Sequence, residues 1–186
     1  MRFNRHLRYQ GAHAFLSPSG YHWVNYTPDR LRERWTAAQA GAYGVMQHEY
    51  AKQEIDAGRL SDQAGIVGLY INDCIQHKMH TEIMLFYSEN CFGTADAINL
   101  YRKKYLKIFD LKTGVSPGSV HQLEVYAALF CLEYGFDPYK LEIELRIYQD
   151  HEVQVYDADP DDIAFIMERI KEFDNLIEQM KREEES

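Results

Sequence analysis

Two acids and a lysine stand inside segments that otherwise read as buried strands. Asp96 lies in Gly93-Thr94-Ala95-Asp96-Ala97-Ile98, and Asp110 and Lys112 lie in Ile108-Phe109-Asp110-Leu111-Lys112-Thr113-Gly114. Charge in such a place is costly unless something compensates it. A divalent cation compensates carboxylates directly, and oxygen donors of this kind suit magnesium or manganese. Side chains alternate along a strand, so Asp110 and Lys112 share one face while Phe109 and Leu111 take the other. Asp96, on the neighbouring strand, is expected to meet Asp110 across the pair. The Leu111 carbonyl, between Asp110 and Lys112, is placed to add a further oxygen ligand. Lys112 can then orient or deprotonate a water and stabilise charge growing on a phosphate. An isolated Asp-x-Lys is more often a surface pair in a hairpin. Here Leu106, Ile108, Phe109 and Leu111 make the strand apolar on both faces, which argues against a surface pair.

The elements that must hold these residues can be read from capping and periodicity. Thr27-Pro28-Asp29 starts a helix expected over about 29–57, bent near Gly41 and Gly44 and stopped by Gly58. Ser61 is expected to cap a second helix with Ile66, Leu69, Tyr70 and Cys74 on its inner face. Three strands follow over about 82–87, 92–100 and 106–113. Their short turns make neighbours antiparallel. Gly114-Val115-Ser116-Pro117-Gly118 breaks the chain before a helix over 119–134. A hairpin over 141–148 and 152–156 leads to a last helix capped at Asp159-Pro160. The apolar face of that helix is Ile163, Ile166, Ile170, Phe173, Ile177 and Met180. This order predicts an α/β fold with a mixed, mostly antiparallel central sheet flanked by helices, built as one domain over 1–186.

Composition bounds the reading. The chain has 186 residues, of which 46% are hydrophobic, enough for a folded core. No apolar run approaches the roughly 20 residues that cross a bilayer, so no membrane partner is expected. The basic start, Arg2, Arg5 and Arg8, has no apolar segment behind it, which makes a cytoplasmic location the expectation. Cys74, Cys91 and Cys131 are too far apart for a metal motif and read as free thiols. A net charge of −9 argues against holding DNA by bulk attraction. The charge is uneven, however. Arginines crowd the first 34 residues, and Arg102, Lys103, Lys104 and Lys107 form a second basic cluster between the two acidic strands. The excess acid after residue 141, ending in Glu183-Glu184-Glu185, reads as a solvated helix face and tail.

Taken together, these segments resemble the RecB-like branch of the PD-(D/E)XK nuclease superfamily. Its Gly-x-x-Asp, Asp-x-Lys-Thr-Gly and Gln-x-x-x-Tyr motifs match Gly93–Asp96, Asp110–Gly114 and Gln122–Tyr126. Its upstream Gly-x-x-x-His matches Gly44–His48, and Glu82 matches a glutamate frequent on the preceding strand. Leu16-Ser17-Pro18-Ser19 and Trp23 are similar to the opening of related phage-encoded proteins. The match spans about residues 16–134. Each motif is weak alone; five in order at sensible spacings are specific.

The resemblance implies a restriction-endonuclease-like core and a magnesium- or manganese-dependent deoxyribonuclease. An exonuclease of phage recombination or DNA-end processing is the leading form, acting in the host cytoplasm. An endonuclease of the same chemistry and a non-catalytic binding module on the same fold are the alternatives. It implies His48, Asp96 and Asp110 as metal ligands alongside Leu111, and Lys112 as the catalytic lysine. Glu82 would serve a second metal or the water network, with Glu89 a competing acid. Gln122 and Tyr126 would contact DNA phosphate or position the site. DNA is the implied partner, with a recombination or replication protein and a dimer or ring of the chain as further ones. His80 and His121 fit no motif position and read as surface residues. Relatives that carry an iron–sulfur cluster use four cysteines, one near the aromatic Trp23 segment. That pattern is missing here, so no cluster is expected, and no phosphate loop of a helicase occurs.

Overall fold

A computed structural model describes residues 14–114 and 117–184. Arg2, Arg5 and Arg8, residues Val115 and Ser116 of the expected chain break, and Glu185 of the acidic tail lie outside the described residues. Contacts divide the chain into two units at Tyr43 and Gly44.

In the first unit a 3₁₀ helix over Pro18–Asn25 precedes the first half of helix α1, Pro28–Asp56. The Thr27 hydroxyl accepts from the Arg30 amide, as a helix-starting threonine should. Trp23 donates its indole N–H to the Ser17 carbonyl, and Phe15 meets Trp35 edge to face with centroids 5.0 Å apart. None of the described residues before Gly44 is buried.

The second unit contains the rest of α1, then α2 (Ile66–Gln76), β1 (His80–Ser88), β2 (Cys91–Tyr101) and β3 (Tyr105–Lys112). After these come α3 (Val120–Tyr134), a 3₁₀ turn at Pro138–Lys140, β4 (Glu142–Gln149), β5 (Glu152–Asp157) and α4 (Pro160–Glu184). The strands form one sheet in the order β1-β2-β3-β4-β5. Only β3 and β4 pair in parallel, with α3 as the crossover between them. The fold is therefore α/β, with a mixed, mostly antiparallel sheet flanked by helices.

Two cores cover the sheet. On one face Leu85, Ala95, Ile98, Leu106, Ile108, Leu145 and Ile147 pack against α3 and Ile163 of α4. On the other, Ala97, Phe109, Leu111 and Tyr148 pack against Ala51 and Ile55 of α1 and Tyr70, Ile71 and Cys74 of α2. The chain's alternation of apolar residues along β3 is what divides them between the two faces.

Three expectations need correcting. Ser61 does not cap α2, which starts at Ile66 behind Gly65. Instead Ser61 exchanges backbone hydrogen bonds with the side chain of Asn72 and ties the loop to the helix flank. On α2, Leu69 is exposed and Ile71 is sealed, so the inner stripe is rotated from the expected one. On α4 only Ile163 is fully buried, and Phe173, Ile177 and Met180 are exposed; the helix lies against α3 and the Pro138–Lys140 turn, and its Asp174, Glu178 and Lys181 bond Ser88 and Asn90 of the β1–β2 turn. Asp159 does cap α4, accepting from the Asp161 amide. The three cysteines are free thiols. Among the described residues no helix is long and apolar enough to cross a membrane.

Candidate functional site

The site forms where β2 and β3 part. They pair from Tyr101↔Tyr105 up to Ala97↔Phe109, and no backbone pair follows at Asp96 and Asp110. There the Asp96 carboxylate takes over, accepting the Leu111 amide at 2.9 Å. A side chain thus replaces a rung of the ladder, and the Leu111 backbone group stays satisfied at the fork.

The neighbouring strand is irregular at the same level. Thr81↔Ala97 and Ile83↔Ala95 flank Glu82, which stands opposite Asp96. Glu82 has φ of 52°, a left-handed backbone uncommon for a residue with a side chain. Ala95 belongs to the α3 core, whereas Ala97, two residues on, belongs to the α1–α2 core. A regular strand would return both to one face. The alternation therefore resets at Glu82 and Asp96.

Two groups of side chains result. His48, Glu82 and Asp96 each present a ligand atom within 4.8 Å of the others. His48 Nδ1 lies 3.5 Å from Asp96 Oδ2, and both side chains are partly exposed. Around one octahedral magnesium with ligands at about 2.0–2.1 Å, neighbouring donors stand about 2.9 Å apart and opposite ones about 4.2 Å, so these three side chains would draw together to close on an ion. Burial, together with the nearby Asp110 charge, pushes the Asp96 carboxyl up to about 6.

Asp110 and Lys112 anchor the second group. Asp110 is 3% exposed. Lys112 Nζ donates to Asp110 Oδ1 at 3.2 Å and to Gln122 Oε1 at 3.0 Å, and Gln122 Nε2 reaches the Tyr126 hydroxyl at 3.3 Å. Asp110 Oδ2 is buried and lies 3.0 Å from the same ammonium, so Lys112 faces both carboxylate oxygens. Gln122 is exposed and Tyr126 is half-buried, on the side of α3 that reaches β3. Leu111 is buried, and its amide serves Asp96.

Helix packing sets the positions of these groups. A Cβ on Gly44 would fall 2.6 Å from Thr113 Oγ1, so the bare glycine lets α1 come against the end of β3. His48 follows one helical turn later on the same face of α1. A Cβ on Gly93 would come 3.0 Å from the Tyr126 ring, so α3 rests directly on β2.

Some supporting residues carry no signal in the sequence. Gln149 is buried; its Oε1 accepts from the Gly118 amide at 2.8 Å and its Nε2 donates to the Gly114 carbonyl at 3.0 Å. It thereby braces the chain just after Lys112. Behind Phe109, Asp73 accepts from the Tyr148 hydroxyl and from Arg146, and the Arg146 guanidinium lies 4.8 Å from the centre of the Phe109 ring. Only the later pairing of β3 with β4 brings these residues together, and no local pattern reports it. His80 and His121 are exposed, and His121 pairs with Glu124 on its own helix.

Compared with family models, with curated proteins and with solved structures, this chain matches none.

Proposed function

We propose that the chain is a metal-dependent deoxyribonuclease of the PD-(D/E)XK type, hydrolysing phosphodiester bonds at the fork between β2 and β3. One observation carries this reading. A histidine and two acids converge beside a buried aspartate that is ion-paired with a lysine two residues on. Carboxylates gathered this closely and partly out of water are costly without a compensating cation.

His48, Glu82, Asp96 and Asp110 would hold the cation, with the Leu111 carbonyl a further donor. When bound, magnesium or manganese supplies Lewis-acid chemistry to a phosphate oxygen. Lys112 keeps its ammonium at the mouth of the site, where it stabilises charge growing on the phosphate and can pass a proton. Gln122 fixes that ammonium through its Oε1, and its amide is in turn held by Tyr126. The cores above and below β3 keep Asp110 and Lys112 in register, so that the reacting groups need little ordering when substrate arrives.

The test is digestion of supercoiled and linear plasmid by the wild-type protein, with magnesium and then with chelator. Degradation in magnesium alone supports the proposal. Loss of linear DNA only marks an exonuclease, and cutting of closed circles marks an endonuclease. A folded protein that leaves both substrates intact in magnesium and in manganese overturns it.

A further inference from the structure

A second basic feature of the chain is not absorbed by the fork. At the far end of β2 and β3 a pocket of about 580 Å³ opens between the end of α2 and the β2–β3 hairpin. His77, Lys78, Tyr101, Arg102, Tyr105 and Lys107 line it, with no carboxylate among its lining residues. This is the size range of small-ligand sites. Asn99 and Lys107 sit two residues along from Ala97 and Phe109, so the pocket shares the α1–α2 face of the sheet.

Its charge is locally unbalanced. Lys107 is paired with Glu144 at 3.0 Å, but among the described residues Lys78 and Arg102 are in no ion pair. Both are exposed. The carbonyls at the end of α2 would normally present negative charge here. Those of Asp73, Cys74 and Ile75 already accept backbone amides, and that of His77 accepts the Asn99 side chain. Burial, with Lys107 and Arg146 nearby, holds the His77 imidazole below its usual range, so it serves as a neutral ring. Tyr101 and Tyr105 supply aromatic faces with centroids 6.3 Å apart, and the Arg102 guanidinium lies 4.9 Å from the centre of the Tyr101 ring. In a chain of net charge −9, two unpaired cations beside two tyrosines make a local site for an anion that carries an aromatic ring.

We propose that this pocket holds a nucleotide unit, its phosphate on Lys78 and Arg102 and its base against the tyrosines. Tyr101 and Tyr105 stand five residues from Asp96 and Asp110, about 17 Å at the rise of a strand. The pocket thus grips a DNA strand about 17 Å from the fork. The chemistry of the pocket is independent of the nuclease reading; the choice of a DNA strand as bearer of the nucleotide rests on it.

The test uses fluorescein-labelled dT12 and the full chain in chelator, where no cleavage interferes, read by anisotropy across a salt series. The double variant Lys78→Gln/Arg102→Gln is expected to bind at least tenfold more weakly. Its log–log salt slope should flatten by about 0.7, the value for one lost single-strand phosphate contact. Tyr101→Leu is expected to weaken binding several-fold with the slope unchanged. Thymidine monophosphate should displace dT12 from the wild type far better than inorganic phosphate does. Unchanged affinity and slope in the double variant overturn the proposal, and equal displacement by inorganic phosphate overturns its aromatic half. A protein that binds dT12 through this pocket yet cleaves no DNA defeats the nuclease reading alone. Cleavage that persists while the double variant binds as well as wild type defeats the pocket alone.

Discussion

The two ends of the β2–β3 ladder are built on opposite terms. From Tyr101↔Tyr105 to Ala97↔Phe109 the strands pair rung by rung, with Leu106, Ile108 and Phe109 sealed. One step further the ladder stops, a carboxylate replaces the rung, the partner strand turns left-handed at Glu82, and a buried aspartate leans on a single lysine. The backbone of the closed end is satisfied by its own pairing. The fork is satisfied only in part, and local unfavourable features of this kind collect where a protein does chemistry.

This contrast can be broken most sharply at the fork. Asp110→Ala and Lys112→Ala should each reduce metal-dependent cleavage by about 10³-fold or more, with melting temperatures within a few degrees of wild type. Initial rates on linear DNA and thermal unfolding decide it; activity retained in both variants removes the site. At the closed end the signs reverse. Phe109→Ala should cost about 3–5 kcal/mol of stability by opening a cavity between Tyr148 and His77, as read by denaturant unfolding. A loss below 1 kcal/mol would mean that this core is not the rigid part of the molecule.

The finest test asks whether charge at the fork opposes folding. Burial and Asp110 raise the Asp96 carboxyl from 3.8 to about 6. A carboxyl that holds its proton more tightly when folded loses stability as pH rises from about 4 through about 6. In chelator at pH 8, Asp96→Asn should therefore be more stable than wild type, by up to about 3 kcal/mol for a shift of this size. The amide oxygen still accepts the Leu111 N–H. The difference should close below pH 4; a variant less stable than wild type at pH 8 would show that Asp96 is held by more than its charge.

Sequence made the closed end far easier to read than the fork. Short turns and dense apolar runs announced β1 to β3 within two residues of their observed bounds, because those signals are local. The face switch at Ala95 and Ala97 was not legible, since it depends on one backbone angle at Glu82 that no residue type demands. Asp96 and Asp110 were expected to meet, and the Asp110 charge is near enough to raise the Asp96 carboxyl. What was not legible is the partner each takes: His48, Glu82 and the Leu111 amide for Asp96, and Lys112 for Asp110. Ser61 misled because a serine before an apolar run suits either a cap or a tertiary anchor, and Asn72 decided for the anchor. The exposed end of α4 was not legible either, because periodicity marks an apolar stripe without saying how much of it a partner covers.

The approach of Gly44 to Thr113 gives the spacing of glycine and histidine a mechanical sense. Any side chain at 44 acts as a shim beneath α1, lifting the imidazole away from the acids while every donor atom remains in the chain. Depth of seating, rather than choice of ligand, is then the quantity this stretch of helix controls.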